Sequence, residues 1–552
     1  MGIVREQLGD VDAQHAGGGA KQYGGAMRYA PAATGWALTL GALVLYVLTL
    51  APSVMPGDYA EFQFSAAILG VPHPTGYSLY ILLGKLFTLL PFGDVAYRVN
   101  LSSAVYMAAA VGVGYAVALK LLRLAGWGRV WWVAGVGVAL FAISPTPWSM
   151  ALVARSYALN ALLVALVLYA LITWRTTQSP RWFYLAAFLI GLSLVHHATT
   201  YLLLPAYGLY LLLAERENRR EGKVENTRPP RIVRRLLLGG LCLLAGLSPL
   251  LFLVYRFVWG SPYYWGSPTT WKDFFDLLSG GPFHNQVLGF GTDLATQWDR
   301  VLFGLGQLSD QYTLVGIAVG VVGIVALLRY RRAEAGLLLL MVAGNFLFSM
   351  NYSLVGYLYF IPTYLIWALF ISVGAGWVAV SIARLLRADD GRRTTDDRRS
   401  YTVAWGAVVG LTGVAFVVAL VYAAIIRYPN IDMAGQTGKR DEALQLLNTA
   451  PQGATLYLDW EDLSVIRFYR FVYGMRLDLT LHSGDPVDWP QGVYCDLSAG
   501  LAVYVAPFAG TEPPLVARDF TLEQAPMGWR VTGVLNPDLY SVPLCGTCAT
   551  CR

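Results

Sequence analysis

The sequence predicts a polytopic α-helical membrane protein with a small α/β domain at its C-terminal end. Of its 552 residues, 56% are hydrophobic and only 13% are charged, whereas soluble domains carry about 25% charged residues. The mean hydropathy of +0.50 agrees with residence in lipid. Apolar runs near the length that crosses a bilayer lie at about 34–52, 95–119, 130–144, 156–174, 182–198, 199–214, 236–258, 312–328, 335–350, 357–383 and 402–426, which predicts about 11 transmembrane helices.

These runs divide the chain into three parts. Residues 1–33 are rich in Gly and Ala and lack the apolar core of a signal peptide, which predicts a disordered tail. Residues 34–426 form the predicted transmembrane domain, with two long outer loops at 53–94 and 259–311. Residues 427–552 alternate helix-like and strand-like segments and end in a Cys-rich tail, so we expect an α/β domain there. Its expected helices are 439–449 and 463–473, and its expected strands are 455–458, 477–481, 501–505 and 529–534.

The distribution of basic residues predicts the orientation. Lys and Arg cluster in alternate short loops, and such loops face the cytoplasm. This places the N-terminus in the cytoplasm and the C-terminal domain outside, in an integral protein of a bacterial or archaeal plasma membrane. The net charge of +6 is spread over these loops without a basic stripe interleaved with aromatic residues, so no nucleic-acid partner is expected.

A carboxylate pair, Asp58 and Glu61, follows the first apolar run, where membrane insertion does not require it. The spacing of three places both side chains on one face of a helix. In the functional interpretation, Asp58 is a general base that takes a proton from a hydroxyl delivered from outside, and Glu61 supports it. The same spacing also fits a helix cap without chemistry, with Asp58 as N-cap and Glu61 at N3.

Three histidines lie at or near the predicted outer side. His73 stands between two prolines and is interpreted either as a substrate ligand or as a packed turn residue. His196 and His197 end an apolar run, and neighbours on a helix point about 100° apart, so we expect one at the site and one at the membrane interface. Together with Asp58 and Glu61, one histidine would suit a divalent cation. The spacing does not demand it, so no metal ligand is assigned and no cofactor is required.

Three arginines are candidates for binding a phosphate. Arg98, Arg155 and Arg256 are predicted near the outer ends of spans, where the headgroup of a lipid would lie. A guanidinium binds phosphate through two parallel hydrogen bonds and stays charged. The alternative is that each arginine only reaches from a span end to the membrane interface.

Aromatic residues and cysteines complete the candidates. Trp265 could stack on a sugar and Tyr359 could line a lipid groove, although both fit an interfacial belt equally well. Cys242 lies in a span and is expected to pack as a small apolar residue. Outside the spans lie Cys495, Cys545, Cys548 and Cys551, which favours disulfides over a zinc cluster.

Several segments together resemble a known family. They are GDYAEF at 57–62, LGVPHPTGYSLY at 69–80, YRVNLSSA at 97–104, SYALNAL at 156–162, GLSLVHH at 191–197 and YFIPTY at 359–364. In this order they resemble the membrane proteins related to transmembrane protein 260, within the GT-C glycosyltransferase superfamily. The resemblance covers roughly residues 35–480, and its most specific part is the first long loop.

The resemblance implies a GT-C fold and transfer of a sugar, possibly mannose, from a polyprenyl-phosphate donor to a protein or glycan acceptor outside the membrane. The catalytic acid of the superfamily's first outer loop maps to Asp58, and its motifs include Tyr157. Two departures concern the first loop, where Tyr59-Ala60 replaces a pair of small residues and Thr75 and Ser78 replace common prolines. In the third, Arg155 stands where an acidic residue is common, so an anion-binding role replaces the acidic one.

Two other functions remain open from the sequence. A flippase or transporter of lipid-linked sugars would work without chemistry, but it usually carries polar residues at span centres. Here the span centres are apolar and the ionisable residues gather at one face. A structural scaffold for the C-terminal domain would leave the long first loop unexplained.

Overall fold

The computed structural model describes residues 24–220, 229–287, 289–354, 356–388, 395–483, 489–505, 515–525, 528–535 and 537. Helices dominate it up to residue 431. They are α1 (Gly24–Leu48), α2 (Asp58–Ile68), α3 (Ser78–Thr88), α4 (Val95–Leu124), α5 (Ala134–Ala142), α6 (Pro145–Ala151), α7 (Ser156–Thr177), α8 (Pro180–His196), α9 (Leu204–Arg220), α10 (Pro229–Gly246), α11 (Leu250–Trp259), α12 (Trp271–Ser279), α13 (Leu294–Tyr330), α14 (Arg332–Asn351), α15 (Gly356–Tyr359), α16 (Ile361–Ala388) and α17 (Thr395–Ile431).

The helices of the described residues confirm the prediction of a helical membrane protein. Seven helices there are long and apolar enough to cross a membrane, and two bent pairs raise the number to nine. The bent pairs are Gly128–Ala142 with Pro145–Ala151 and Val233–Gly246 with Leu250–Trp259. The two remaining apolar runs of the sequence fall on α8 and α9. Helices suit lipid because each satisfies its own backbone hydrogen bonds.

The core of the helical part lies around α4 and α7. Most of the apolar window of each of these helices is buried by other helices, at 67% for α4 and 83% for α7, against 11% for α1. Glycines allow helices to approach each other closely at this core. A Cβ added to Gly137 on α5 would lie 1.9 Å from the carbonyl oxygen of Ala368 on α16, so no other residue fits there without moving a helix.

Two boundaries differ from the sequence predictions. The predicted disordered tail, 1–33, is helical from Gly24 because α1 extends past the apolar run. The second long loop ends at residue 293 rather than 311, because Asp293 caps α13 by accepting a hydrogen bond from the Thr296 amide at 2.9 Å. The extended α13 is bent at Thr313, where φ is 60°. The second long loop therefore spans 260–293 and carries α12.

The C-terminal part forms the predicted α/β domain. Its helices are α18 (Gly438–Thr449), α19 (Trp460–Tyr473) and α20 (Trp489–Ser498). Its strands are β1 (Thr455–Leu458), β2 (Thr480–Ser483), β3 (Val503–Val505), β4 (Phe520–Ala525) and β5 (Gly528–Val534). They form one sheet in the order β2-β1-β3-β5-β4, with β1 parallel to β2 and β3, and β5 antiparallel to β3 and β4.

The sequence missed α20 and β4 in this domain. Helix α20 has apolar residues at helical spacing, Trp489, Val493 and Leu497, which pack in one apolar cluster; the helix is only 10 residues long. Cys495 on α20 is buried and disulfide-bonded. Cys545, Cys548 and Cys551 lie outside the described residues, so their predicted state stays a prediction. Cys242 is free, as expected for a packed thiol.

Candidate active site

Helix α2 positions Asp58 and Glu61 on the first long loop. The chain turns into α2 at Gly57, whose φ of 63° and ψ of −138° favour a residue without a Cβ. Gly57 is the N-cap, and no side chain caps this helix. The capping interpretation of Asp58 and Glu61 is therefore wrong, because both carboxylates are engaged with groups outside their own helix.

Asp58 accepts hydrogen bonds from two distant parts of the chain. Arg155 Nη1 lies 2.9 Å from Asp58 Oδ2, and the indole Nε1 of Trp460 donates to Asp58 Oδ1 at 2.9 Å. The side chain remains 29% exposed. Burial favours the neutral acid, but the charges of His73 and Arg155 and the two hydrogen bonds outweigh it and hold the pKa of Asp58 below its usual value. Asp58 is thus an ionised carboxylate with free lone pairs.

Glu61 is fully buried and forms an ion pair with His73. His73 Nδ1 contacts Glu61 Oε2, and the backbone amide of His73 donates to Glu61 Oε1 at 3.2 Å. The hydroxyl of Tyr263 also donates to Glu61 Oε1, at 2.8 Å. Burial would lower the pKa of His73, but the charges of Asp58 and Glu61 and the Glu61 hydrogen bond raise it above its usual value.

The free ring nitrogen of His73 faces Asp58. His73 Nε2 lies 4.0 Å from Asp58 Oδ2, which is too far for a hydrogen bond. The structure thus brings His73, a candidate substrate ligand from the sequence, together with Asp58 and Glu61. One ligand atom from each lies within 4.8 Å of the others, so the three could hold a metal ion.

Arg155 lies at the start of α7, where it is the N-cap residue. Its guanidinium carbon stands 4.8 Å from the ring centre of Tyr59 and 5.8 Å from that of Tyr157. These rings hold the planar cation beside Asp58. We name Asp58, Glu61, His73 and Arg155 the site cluster.

His197 belongs to an aromatic group next to the site cluster. Its ring lies 5.7 Å from Tyr157 and 5.5 Å from Tyr359, and these two tyrosines lie 5.5 Å apart. His196 Nε2 donates a hydrogen bond to the carbonyl oxygen of Ser156 at 2.9 Å. Both histidines are buried, so the prediction that one of them lies at the membrane interface is wrong. The backbone turn between them, from helix to extended structure at His197, directs both rings inward.

The other two predicted arginines lie elsewhere. Arg98 donates to the backbone carbonyls of Thr88, Leu90 and Asp94 and so closes the end of the first long loop. The structure therefore does not bring it to the site cluster. Arg256 lies near the end of α11 and, with Trp265, lines a cavity beside the C-terminal domain.

The second long loop and the C-terminal domain complete the site. Tyr263 is joined to the first loop because its carbonyl accepts from the Val71 amide at 2.9 Å, and the Trp265 amide donates to the Val71 carbonyl at 2.9 Å. Trp460 begins α19, and the amide of Gly57 donates to the carbonyl of Glu461 at 3.2 Å. The sequence analysis did not single out Tyr263 among the aromatic residues of its loop. It missed Trp460, for which no local pattern gives a signal.

Residues 58–220 match the family model described as the protein O-mannosyl-transferase TMEM260 N-terminal domain. The chain is 34% identical to mouse protein O-mannosyl-transferase TMEM260 over 182 residues, which are 31% of this chain and 25% of the mouse protein. It is 26% identical to Dictyostelium discoideum protein O-mannosyl-transferase tmem260 over 193 residues, which are 32% of this chain and 23% of that protein. The matches thus span about a quarter of each relative, and they confirm the family resemblance over the segment that carries the site cluster.

The fold is similar to that of ArnT from Cupriavidus metallidurans. The crystal structure of ArnT bound to undecaprenyl phosphate superimposes with a TM-score of 0.53 over 91% of this chain and 99% of that one, at 16% identity. The apo form gives 0.52 over 91% and 98%, also at 16% identity. This likeness confirms the GT-C fold predicted from the resemblance.

Proposed function

We propose that this chain, whose residues 58–220 carry the N-terminal domain of the TMEM260 protein O-mannosyl-transferase family, is a membrane glycosyltransferase. It moves a sugar, with mannose as the expected one, from a polyprenyl-phosphate donor to a hydroxyl of a protein. A glycan acceptor is the second choice, because the relatives are named for transfer to protein. The observation that carries the proposal is the ionised, partly exposed Asp58 at the junction of two loops and a helical bundle.

Asp58 is the general base in this reaction. Its two oxygens already accept from Arg155 and Trp460, but an ionised carboxylate offers about four lone-pair positions. A free position takes the proton of the acceptor hydroxyl while the hydroxyl oxygen bonds to the anomeric carbon. The bond from that carbon to the phosphate oxygen breaks, and the polyprenyl phosphate leaves with the electron pair. Attack from the face opposite the phosphate inverts the anomeric configuration.

Arg155 serves the donor side. Its guanidinium contacts Asp58 and stands 5.8 Å from the ring of Tyr157, which packs on His197 and Tyr359. A donor phosphate bound by Arg155 would therefore lie next to the base. A guanidinium stabilises the charge that develops on a phosphate leaving group. The leaving phosphate is a stable anion, so the reaction needs no general acid.

His73 and Glu61 support the base. Glu61 holds one ring nitrogen of His73, and the other nitrogen can donate to a substrate oxygen near Asp58. The positive charges of His73 and Arg155 perform the neutralisation that a metal ion would otherwise supply, so we propose that no divalent cation is required. The reaction is placed on the extracytoplasmic side, where the C-terminal domain is expected, with the N-terminus in the cytoplasm.

A transporter without chemistry fits the charges less well. Its substrate path would need ionisable groups at the middle of spans. The buried pair Arg175 and Glu334 instead lies at helix ends, two residues before the end of α7 and two residues after the start of α14.

The test is sugar transfer by the purified chain. Polyprenyl-phosphate mannose and a Ser/Thr peptide are supplied, and the mass and anomeric configuration of the product are measured. Asp58→Asn should reduce the rate by about 10²- to 10⁴-fold, which is the usual contribution of a general base. Asp293→Asn is the matched control, because it removes a carboxylate that only caps α13. Full activity of Asp58→Asn, or equal losses in both variants, would refute the base.

A further inference from the structure

A cavity of about 1090 Å³ lies between the second long loop and α19 of the C-terminal domain. Its walls are the end of α11, residues 260–269 and one face of α19 from Trp460 to Phe471. Pockets for small ligands usually measure about 300–1,000 Å³, so this cavity has room for more than one sugar-sized group. A wall made by two separate regions suits a ligand that arrives from outside the membrane.

The cavity touches the site cluster through two shared side chains. Trp460 and Tyr263 both line it. Trp460 also donates to Asp58, and Tyr263 also donates to Glu61. A ligand in the cavity is therefore one side chain away from each carboxylate of the site.

Two arginines in the cavity wall form no ion pair with a carboxylate among the described residues. Arg256 and Arg467 line the cavity. In the part of the chain that the structure describes, their guanidinium groups stand over aromatic rings. Arg256 stands over Phe252 and Tyr255, and Arg467 lies 5.7 Å from the ring of Tyr263. The Nε of Arg256 is buried and has no hydrogen-bond partner among the described residues. A buried donor left without a partner is costly, which points to an anionic ligand.

We propose that this cavity binds the acceptor and selects a peptide in which an acidic side chain lies a few residues from the reacting Ser or Thr. The inference rests on the proposed function, because it assigns the acceptor of the same reaction. Arg467 and Arg256 bind the acidic side chain, Trp265 and Trp460 pack on the peptide, and the hydroxyl reaches Asp58 past Trp460. The donor phosphate stays with Arg155 on the other side of Asp58.

The test compares three Thr peptides that differ only in one nearby residue, Asp, Asn or Lys. The wild-type chain should use the Asp peptide with the lowest KM. Arg467→Ala should raise the KM for that peptide by about 10- to 100-fold, because it removes a hydrogen bond to a charged group, and should leave the donor KM unchanged. Arg467→Glu should reverse the preference toward the Lys peptide. Arg440→Ala, on the exposed surface of the same domain, is the matched control and should change nothing.

Equal use of the three peptides by the wild type would overturn the proposal. A rise in the donor KM rather than the peptide KM in Arg467→Ala would also overturn it, because it would assign the arginines to the lipid phosphate. Binding of a fluorescent Asp peptide without donor separates this inference from the proposed function. Arginine-dependent binding without any transfer would support the cavity and refute the transferase. Transfer without a preference for acidic peptides would support the transferase and refute the role of the cavity.

Discussion

Among the described helical residues, two clusters built on an Arg–carboxylate pair differ in the access of that pair to solvent. In the first, the site cluster, Asp58 keeps 29% of its side chain exposed. In the second, which we name the closed cluster, Arg175 Nε contacts Glu334 Oε1 at 2.8 Å, and Arg175 and Glu334 are 3% and 0% exposed. The closed cluster also contains Tyr210 and Asn218, whereas Glu217, which pairs with Arg175 at the edge of the cluster, is 36% exposed.

The difference separates two uses of an ion pair. The closed cluster joins α7, α9 and α14, and its charged side chains pair with each other. In the site cluster, the same pairing of Arg and carboxylate leaves lone pairs of Asp58 open to a ligand, and it lies where two loops and a second domain converge. A fully buried ion pair only holds helices together, whereas a pair whose carboxylate is partly exposed can also contact a substrate.

The largest expected effect on stability comes from breaking the closed cluster. Arg175→Met leaves Glu334 buried without its cation, which should lower the free energy of unfolding by about 3–5 kcal/mol. Thermal unfolding in detergent measures it, while transfer per folded molecule should stay unchanged. Arg219→Met is the control, since its pair with Glu215 is half exposed and contributes about 0.3–0.5 kcal/mol. Equal shifts in both variants would show that the closed cluster does not hold the helices.

Removal of the cation from the site cluster should change binding more than stability. Arg155→Ala should raise the donor KM about tenfold, since a charge-assisted hydrogen bond is lost, and should raise the acceptor KM less. The two KM values, measured by varying one substrate at a time, decide the outcome. Arg98→Ala is the matched control, because its guanidinium binds backbone carbonyls and should affect stability alone. Equal increases in both KM values would remove Arg155 from the phosphate site.

The pH dependence of stability should report the charge of His73 in the site cluster. The pKa of His73 is raised above 6.5 by the charges of Asp58 and Glu61, against the opposing effect of burial. Its contribution is thus fully present below about pH 6.5 and is lost as the pH rises through the raised value. His73→Gln should lower the unfolding temperature most below pH 6.5 and progressively less at alkaline pH. A difference from wild type that does not vary with pH would mean that His73 is neutral in the folded chain.

The sequence predicted the parts of the site that lie close together along the chain. Asp58, Glu61 and His73 are within one loop, and their residue types and spacing indicate their chemistry. Trp460 lies 402 positions from Asp58, and such contacts depend on how a whole domain packs, which local patterns do not record. The sequence did not predict the position of Arg98 away from the site cluster for the same reason, since the carbonyls that engage it become neighbours only when α3 ends beside α4.

The smallest expected effect is that of metal removal, and it tests whether protonated His73 and Arg155 do the work of a cation. Asp58, Glu61 and His73 offer ligand atoms within 4.8 Å of one another, but a metal would have to displace the proton from His73, whose pKa is raised. It would also approach the Arg155 guanidinium, 2.9 Å from Asp58. We therefore expect a chelator such as EDTA to leave the transfer rate within about twofold at neutral pH. A complete loss that Mn²⁺ or Mg²⁺ restores would show that a cation displaces this proton and that the neutralisation assigned to His73 is wrong.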